Sequence, residues 1–180
     1  YIHCFKLTNI IGISCFYHDS AAVLVKNGEI ISAIQEERFT RIKHDNSFPE
    51  NSILYILKSN KIKLEEIDYF VFYEKPFLKF DRILETYFST APYGFRSFLK
   101  SFPLWTKEKI FQKEIIYNFL KKISKSIKKE KIYFSEHHLS HAASAFFPSK
   151  FEKSLILTLD AVGEWTTTSL ALGYKNKIEI

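Results

Sequence analysis

Leu155-Ile156-Leu157-Thr158-Leu159-Asp160, Ala161-Val162-Gly163-Glu164-Trp165, Thr166 to Tyr174, Lys175-Asn176 and Lys177 to Ile180 follow one another at the end of the 180-residue chain. The apolar run ending on an aspartate reads as a strand, the next five residues as a loop, and Thr166 to Tyr174 as a second strand. A tight turn and the start of a third strand complete the unit. The same order opens the chain. Ile10 to Ser14 reads as a strand, Cys15-Phe16-Tyr17-His18-Asp19-Ser20 as a loop and Ser20 to Val25 as a strand. Asn27-Gly28 is a strong hairpin signal, and Glu29 to Gln35 makes the third strand. A unit of strand, polar loop, strand, tight turn and strand that occurs twice is the sequence mark of a duplicated architecture.

Duplicated β-meanders open the two lobes of actin-like folds, the sugar kinase and Hsp70 type, with their first loops facing each other across a nucleotide cleft. The expected fold class is therefore α/β and actin-like: a first lobe plus the opening meander of a truncated second lobe. Residues 1–9 read as a leader, 10–150 as the first lobe and 151–180 as the incomplete start of the second. Within the first lobe, Ile53, Ile56 and Leu57 give Pro49 to Ser59 a helical pattern, and Ile67 to Tyr73 reads as a strand. Residues 76–107 are aromatic and irregular, with Pro76, Pro92 and Pro103 breaking any long helix, and read as an insertion of short helices. The dense polar stretch from Glu36 to Asp45 is too charged to be core.

Between the two meanders lies Ser135-Glu136-His137-His138-Leu139-Ser140-His141-Ala142-Ala143-Ser144-Ala145-Phe146-Phe147-Pro148, which holds half of the six histidines. Ser135 follows the β-type run Ile132-Tyr133-Phe134 and suits an N-cap, and Pro148 supplies a stop, so the segment reads as one short helix. Residues four apart stack on one face, so His137 and His141 point the same way, while His138 is turned about 100° from His137. Two imidazoles in that geometry form half of a metal site. Asp160, ending an apolar strand, needs a partner if buried. Together they make a plausible ligand set for zinc or ferrous iron. Histidines that are exposed, or satisfied by other hydrogen bonds, remain the competing reading.

Hydrophobic residues make up 46% of the chain and Phe alone contributes 18, which marks a globular sequence with a sizeable core. No apolar run approaches a membrane span and no signal peptide opens the chain, so no membrane partner is expected. Two cysteines, Cys4 and Cys15, suggest no disulfide framework, and a reducing cytoplasm fits. The sequence begins at Tyr1 and has no methionine, so its natural start is expected to be missing. The formal charge of +6 raises the question of nucleic acid. Much of it comes from Lys121, Lys122, Lys125, Lys128, Lys129 and Lys131, interleaved with Ile116, Phe119, Leu120, Ile123 and Ile127 at helical spacing. That pattern is the wet face of an amphipathic helix, and a nucleic-acid partner is not expected.

IGISCFYHDSAAVLVKNGEIISAIQEERFTRIKHDNSFP (11–49), KPFLKFDRILETYFSTAPYGFRSFLKSFPLW (75–105), HHLSHAASAFFPS (137–149) and LTLDAVGEWTTTS (157–169) resemble the amino-terminal part of the O-carbamoyltransferases. That family includes the nodulation-factor, cephamycin and tobramycin enzymes, which points to natural-product biosynthesis. The resemblance implies an actin-like lobe pair, similar to the tRNA threonylcarbamoyl transferases, joined to a YrdC-like domain. The latter makes carbamoyl-adenylate from carbamoyl phosphate and ATP with Mg2+. The actin-like part then transfers the carbamoyl group to a hydroxyl of a small molecule or sugar. By position, His137, His141 and Asp160 match the family's metal ligands, with iron (Fe2+) the usual ion and Zn2+ or Mn2+ as alternatives. A further aspartate ligand would lie beyond Ile180. His18 matches the proposed general base, a role a neutral imidazole suits near pH 7. Asp19 would orient His18 or simply form the turn. Arg38 and Lys43 are candidates for substrate or phosphate contact, with solvated surface as the alternative, and Glu164 and Trp165 would border the cleft.

Three other readings stand beside this one: a non-catalytic metal- and nucleotide-binding fragment, a tRNA threonylcarbamoyl transferase-like protein, and a basic nucleic-acid binder. These 180 residues alone are expected to be inactive, and an unfinished sheet would favour self-association into a homo-oligomer. The acceptor is not readable, because fold-level analogy does not choose among sugars, aminoglycosides and polyketides.

Overall fold

The computed structural model describes residues 7–104, 111–161 and 163–180. Cys4, residues 105–107 of the expected insertion and Val162 lie outside the described residues. The chain divides into two compact units, one of Tyr1–Phe72 and Lys113–Tyr133, the other of Tyr73–Gln112 and Phe134–Ile180. The architecture is mixed α/β, as expected.

The first meander is β1 (Asn9–Ser14), β2 (Ala21–Lys26) and β3 (Glu29–Gln35). β1 and β2 pair antiparallel from Asn9↔Lys26 to Ser14↔Ala21, and β2 and β3 pair antiparallel with a bulge between Leu24 and Val25. The β2–β3 turn has Asn27 at φ 53° and Gly28 at φ 87°. Two successive positive φ values match the twist of a tight hairpin, so the Asn-Gly signal carried real geometry. β4 (Tyr69–Phe72) lies parallel to β1, and β5 (Ile132–Phe134) completes a sheet in the order β3-β2-β1-β4-β5. Ile11, Ile13, Ala22, Leu24, Phe70 and Phe72 are buried at alternate strand positions. Period-two alternation puts each strand's set on one face. α2 (Glu50–Asn60) packs on β2 and β3 and buries Ile53, Ile56 and Leu57, the three positions that gave the helical pattern.

Two polar residues join this core. Glu36 is 1% exposed and Asp45 6%, although the stretch between them reads as too charged for burial. Both carboxylates can be buried because hydrogen-bond donors meet each of their oxygens. Glu36 accepts from the backbone N–H groups of Asn51 (3.0 Å) and Ser52 (2.8 Å), and from the Asn51 amide and Ser52 hydroxyl. A carboxylate beyond Pro49 thus satisfies the otherwise orphaned amides that start α2. Asp45 accepts from Ser47 N–H (2.8 Å) and Thr40 Oγ1 (2.6 Å), closing the loop after α1 (Glu37–Thr40).

The lysine-faced helix is real but shorter than its pattern. α5 (Gln112–Ile123) buries Ile116 and Leu120 and stacks Phe119 on Phe48 at 4.6 Å between ring centres. It ends at Ile123, where the Ser124 and Ser126 hydroxyls turn to the Glu65 carboxylate; serine side chains that find such partners compete with helix continuation. Lys125, Lys128, Lys129 and Lys131 therefore lie beyond the helix. Lys131 is not a solvated charge either, since its Nζ donates to the carbonyls of Glu65 (2.9 Å) and Ile67 (2.5 Å).

In the second unit the insertion contains α3 (Pro76–Thr90) and α4 (Phe95–Leu104). Pro76 sits at the start of α3, where its missing N–H costs nothing, so fifteen residues remain helical before Pro92. Among the described residues of the insertion, the short helices expected are one of 15 residues and one of 10, and Pro103, expected to break a helix, lies in the last turn of the second. Tyr87 of α3 stacks on Phe98 of α4 with ring centres 4.2 Å apart. The second meander, β6 (Lys153–Leu159), β7 (Thr168–Tyr174) and β8 (Lys177–Glu179), is antiparallel throughout, with β6 and β7 in register from Lys153↔Tyr174 to Leu159↔Thr168. Its buried face, Ile156 and Ala171, packs against Ala142 and Phe146 of α6 (His137–Phe146). Its other face carries Leu155, Leu157, Leu159, Leu170 and Leu172, all exposed. Gly173 permits the first contact: a Cβ there would sit 2.7 Å from the Phe146 ring.

Candidate metal centre

α6 presents its histidines as the four-residue spacing requires. His137 Nε2 lies 2.7 Å from Asp160 Oδ2 and 3.1 Å from His141 Nε2. One ligand atom from each of these three residues falls within 4.8 Å of the other two, and they are the one such group of three or more among the described residues. Asp160 is delivered to this point by β6, which ends one residue earlier, and its N–H donates to the Thr167 carbonyl at 2.8 Å. Two imidazole nitrogens and one carboxylate oxygen aimed at one small volume suit zinc or ferrous iron. The pairing of two nitrogens at 3.1 Å beside a carboxylate has at most a shared proton to stabilise it, whereas a divalent cation would satisfy all three lone pairs. Burial holds the His141 pKa below the ordinary histidine value, and the neighbouring His137 adds to the effect. A shift in this direction, which Asp160 partly opposes, favours the neutral form that a metal ligand requires.

His138 does something else, as its angle implied. It is 8% exposed, and its Nδ1 is 2.8 Å from the Ser169 hydroxyl of β7. It ties α6 to the meander. The loop that follows Asp160 passes close by: a Cβ on Gly163 would stand 2.7 Å from His138 Nε2 and 1.9 Å from the Thr166 carbonyl oxygen, so only glycine fits. Arg82 of α3 donates to the Gly163 carbonyl.

Glu164 organises the start of α6. The helix has Glu136, not Ser135, at its N-cap position, with no side-chain cap of its own. The His137 N–H instead donates to Glu164 Oε2 at 3.0 Å, and Lys75 N–H, at the start of α3, donates to Glu164 Oε1. One carboxylate thereby serves the first turns of two helices, where backbone amides lack partners and the helix dipole favours negative charge. Glu164 is 5% exposed, and burial raises its pKa against the lowering effect of the two amides. Both its oxygens are engaged by backbone, and Trp165 beside it is 52% exposed.

The remaining sequence candidates lie in the first unit. His18 and Asp19 are in the loop after β1, with His18 Nδ1 2.7 Å from Asp19 Oδ2. Asp19 Oδ1 is 3.0 Å from His44 Nδ1, a residue that spacing did not single out. Its one signal was faint: His44-Asp45 repeats the His-Asp pair of residues 18 and 19. The carboxyl of Asp19 is held below its ordinary pKa, first by the hydrogen bond from His44 and then by that from His18. Arg38 and Lys43 are exposed in the neighbouring segment. No helix among the described residues is long and apolar enough to cross a membrane.

Known proteins share this sequence closely. The chain is 51% identical over 174 residues to the Synechocystis protein sll1178, covering 96% of this chain and 28% of that protein. It is 35% identical over 164 residues to the nodulation protein NolNO of Sinorhizobium fredii, covering 91% of this chain and 22% of that one. It is 32% identical over 171 residues to MJ1051 of Methanocaldococcus jannaschii, covering 95% and 26%. The chain thus spans about a quarter of the length of the curated relatives it matches. The family model described as carbamoyltransferase N-terminus matches residues 9–180, which takes in both meanders, the paired histidines and Asp160, and the chain belongs to that family.

Proposed function

We propose that this chain is the amino-terminal portion of an O-carbamoyltransferase that moves a carbamoyl group from carbamoyl-adenylate to a hydroxyl of a small molecule or sugar. The observation that carries the reading is the convergence of His137, His141 and Asp160, in a chain of the carbamoyltransferase N-terminal family. The two antiparallel meanders of like order support an actin-like lobe pair. In this reading the donor forms from carbamoyl phosphate and ATP with Mg2+ in a YrdC-like part of the whole protein, and the setting is cytoplasmic.

His18 is the base. With Nδ1 directed at Asp19, its Nε2 lone pair is left to accept the acceptor's proton. The alcohol oxygen forms a bond to the carbamoyl carbon, the bond from that carbon to the adenylate phosphate oxygen breaks, and AMP departs. The alcohol proton ends on His18 Nε2. His137, His141 and Asp160 hold a divalent ion, Fe2+ or else Zn2+ or Mn2+, which when bound supplies Lewis acidity to a carbonyl or phosphate oxygen. Arg38 and Lys43 are exposed cations suited to phosphate, and Glu164 shapes the loop beside the metal ligands.

The test is transfer by the intact protein, given carbamoyl phosphate, ATP, Mg2+ and a panel of hydroxyl acceptors. His18→Asn should lower carbamate formation by roughly 10²- to 10⁴-fold while carbamoyl-adenylate still forms. Transfer within about threefold of the parent would overturn the assignment of the base.

A further inference from the structure

The first unit holds a second cluster of ionisable side chains, and one member has no role in the reading above. Asp19 faces two imidazoles at once, His18 Nδ1 at 2.7 Å from Oδ2 and His44 Nδ1 at 3.0 Å from Oδ1. An ionised carboxylate only accepts, so both Nδ1 atoms carry protons in these contacts. Each neutral ring is then the Nδ1–H tautomer with its lone pair on Nε2. A histidine side chain free in water prefers the opposite tautomer, so a base that works through Nε2 needs something to hold its proton on Nδ1.

The backbone around the cluster is held in an uncommon conformation. Phe16 (φ 71°), Asp19 (φ 50°), Arg41 (φ 60°) and His44 (φ 56°) are all left-handed, and none is glycine. Phe16 and Arg41 are residue types that seldom take this conformation, whereas aspartate and histidine take it more readily. Backbone bonds tie the two loops together, Phe16 N–H to the Asn46 carbonyl (2.9 Å) and Ser20 N–H to the Asp45 carbonyl (2.8 Å), and the Asp45 carboxylate closes the second loop on itself. The imidazoles do not supply that stability. His18 and His44 side chains are 58% and 62% exposed, and polar contacts that open to water contribute little to folding whether or not the rings are charged. Four left-handed residues therefore place three side chains whose mutual contacts contribute little to the fold.

We propose that His44 is a positioning residue for His18 and acts through Asp19. A carboxylate held at one oxygen can turn about its Cβ–Cγ bond, whereas one held at both has its plane fixed. By occupying Oδ1, His44 keeps Oδ2 on His18 Nδ1 and so keeps the His18 lone pair on Nε2. The inference rests on the reading of His18 as the base and adds a residue that reading does not contain.

Two substitutions separate the donor from the backbone. His44→Gly accepts φ 56° without strain and removes the donor. His44→Asn also tolerates the left-handed region and places an amide N–H near the position of Nδ1. The intact protein with ¹⁵N-labelled histidine reports the His18 tautomer through its ring nitrogen shifts, and transfer is measured in parallel. The Nδ1–H form is expected in the parent, a mixture dominated by Nε2–H in His44→Gly, and recovery in His44→Asn. Transfer should fall about tenfold in kcat with little change in acceptor KM for His44→Gly, and return to within about threefold of the parent for His44→Asn. An unchanged His18 tautomer in His44→Gly, or equal losses in both variants, would overturn the proposal. Full activity of His18→Asn would instead remove the base assignment, while the nitrogen shifts would still decide whether His44 sets the His18 tautomer.

Discussion

Replacing Glu164 by Gln tests whether one carboxylate organises the helix that carries His137 and His141. Glu164 Oε2 accepts the His137 N–H at 3.0 Å and Oε1 accepts the Lys75 N–H, in a site only 5% exposed. Gln presents one oxygen and one NH2, so it can serve one amide and must turn a donor towards the other. A buried donor left without a partner costs about 1–3 kcal/mol. Removing a buried charge returns part of that, because the raised pKa of Glu164 shows that burial penalises its ionised form. The expected net loss is about 1–2 kcal/mol, which for a domain of this size lowers Tm by roughly 2–8 °C. Hydrogen exchange at the two amides is the sharper assay. Protection at His137 or Lys75 should fall selectively, while Glu152→Gln, at an exposed glutamate away from both helix starts, leaves both amides alone. A Glu164→Gln protein with parental Tm and parental protection at both amides would refute the clamp.

Gly173→Ala should destabilise by about 1–3 kcal/mol, since the new Cβ would meet the Phe146 ring at 2.7 Å and the ring has the sheet on one side; thermal unfolding measures it. Asp45 has a pKa held below the ordinary aspartate value, chiefly by its hydrogen bonds to Ser47 and Thr40. A depressed folded-state pKa contributes stability that is present above the unfolded value and disappears as pH falls through the folded one. The parent should therefore lose stability relative to Asp45→Ala as pH drops below about 4, and parallel denaturation curves for the two proteins across that range would contradict the assignment.

Much of the framework was legible because it rests on local chemistry. Asn27-Gly28 specifies its own turn, alternation in Ile11, Ile13, Ala22 and Leu24 specifies a strand face, and His137 and His141 meet because four residues make one helical turn. What escaped depends on partners distant in sequence. The burial of Glu36 follows from Asn51 and Ser52, fifteen and sixteen residues on, and the cap on α6 comes from Glu164, twenty-seven residues away. Likewise the lysine-faced helix stops where Ser124 meets Glu65, a contact across 59 residues that no periodicity reveals. His44 shares Asp19 with His18 across 25 residues for the same reason.

If His137, His141 and Asp160 hold one divalent ion, elemental analysis of the purified protein will show it. The parent should carry close to one equivalent of iron, zinc or manganese per chain. His141→Ala should lose most of it, because the site then keeps one nitrogen and one carboxylate, while His138→Ala, which removes only the link to Ser169, should retain it. Equal metal in the parent and in His141→Ala would mean that these residues do not hold the ion.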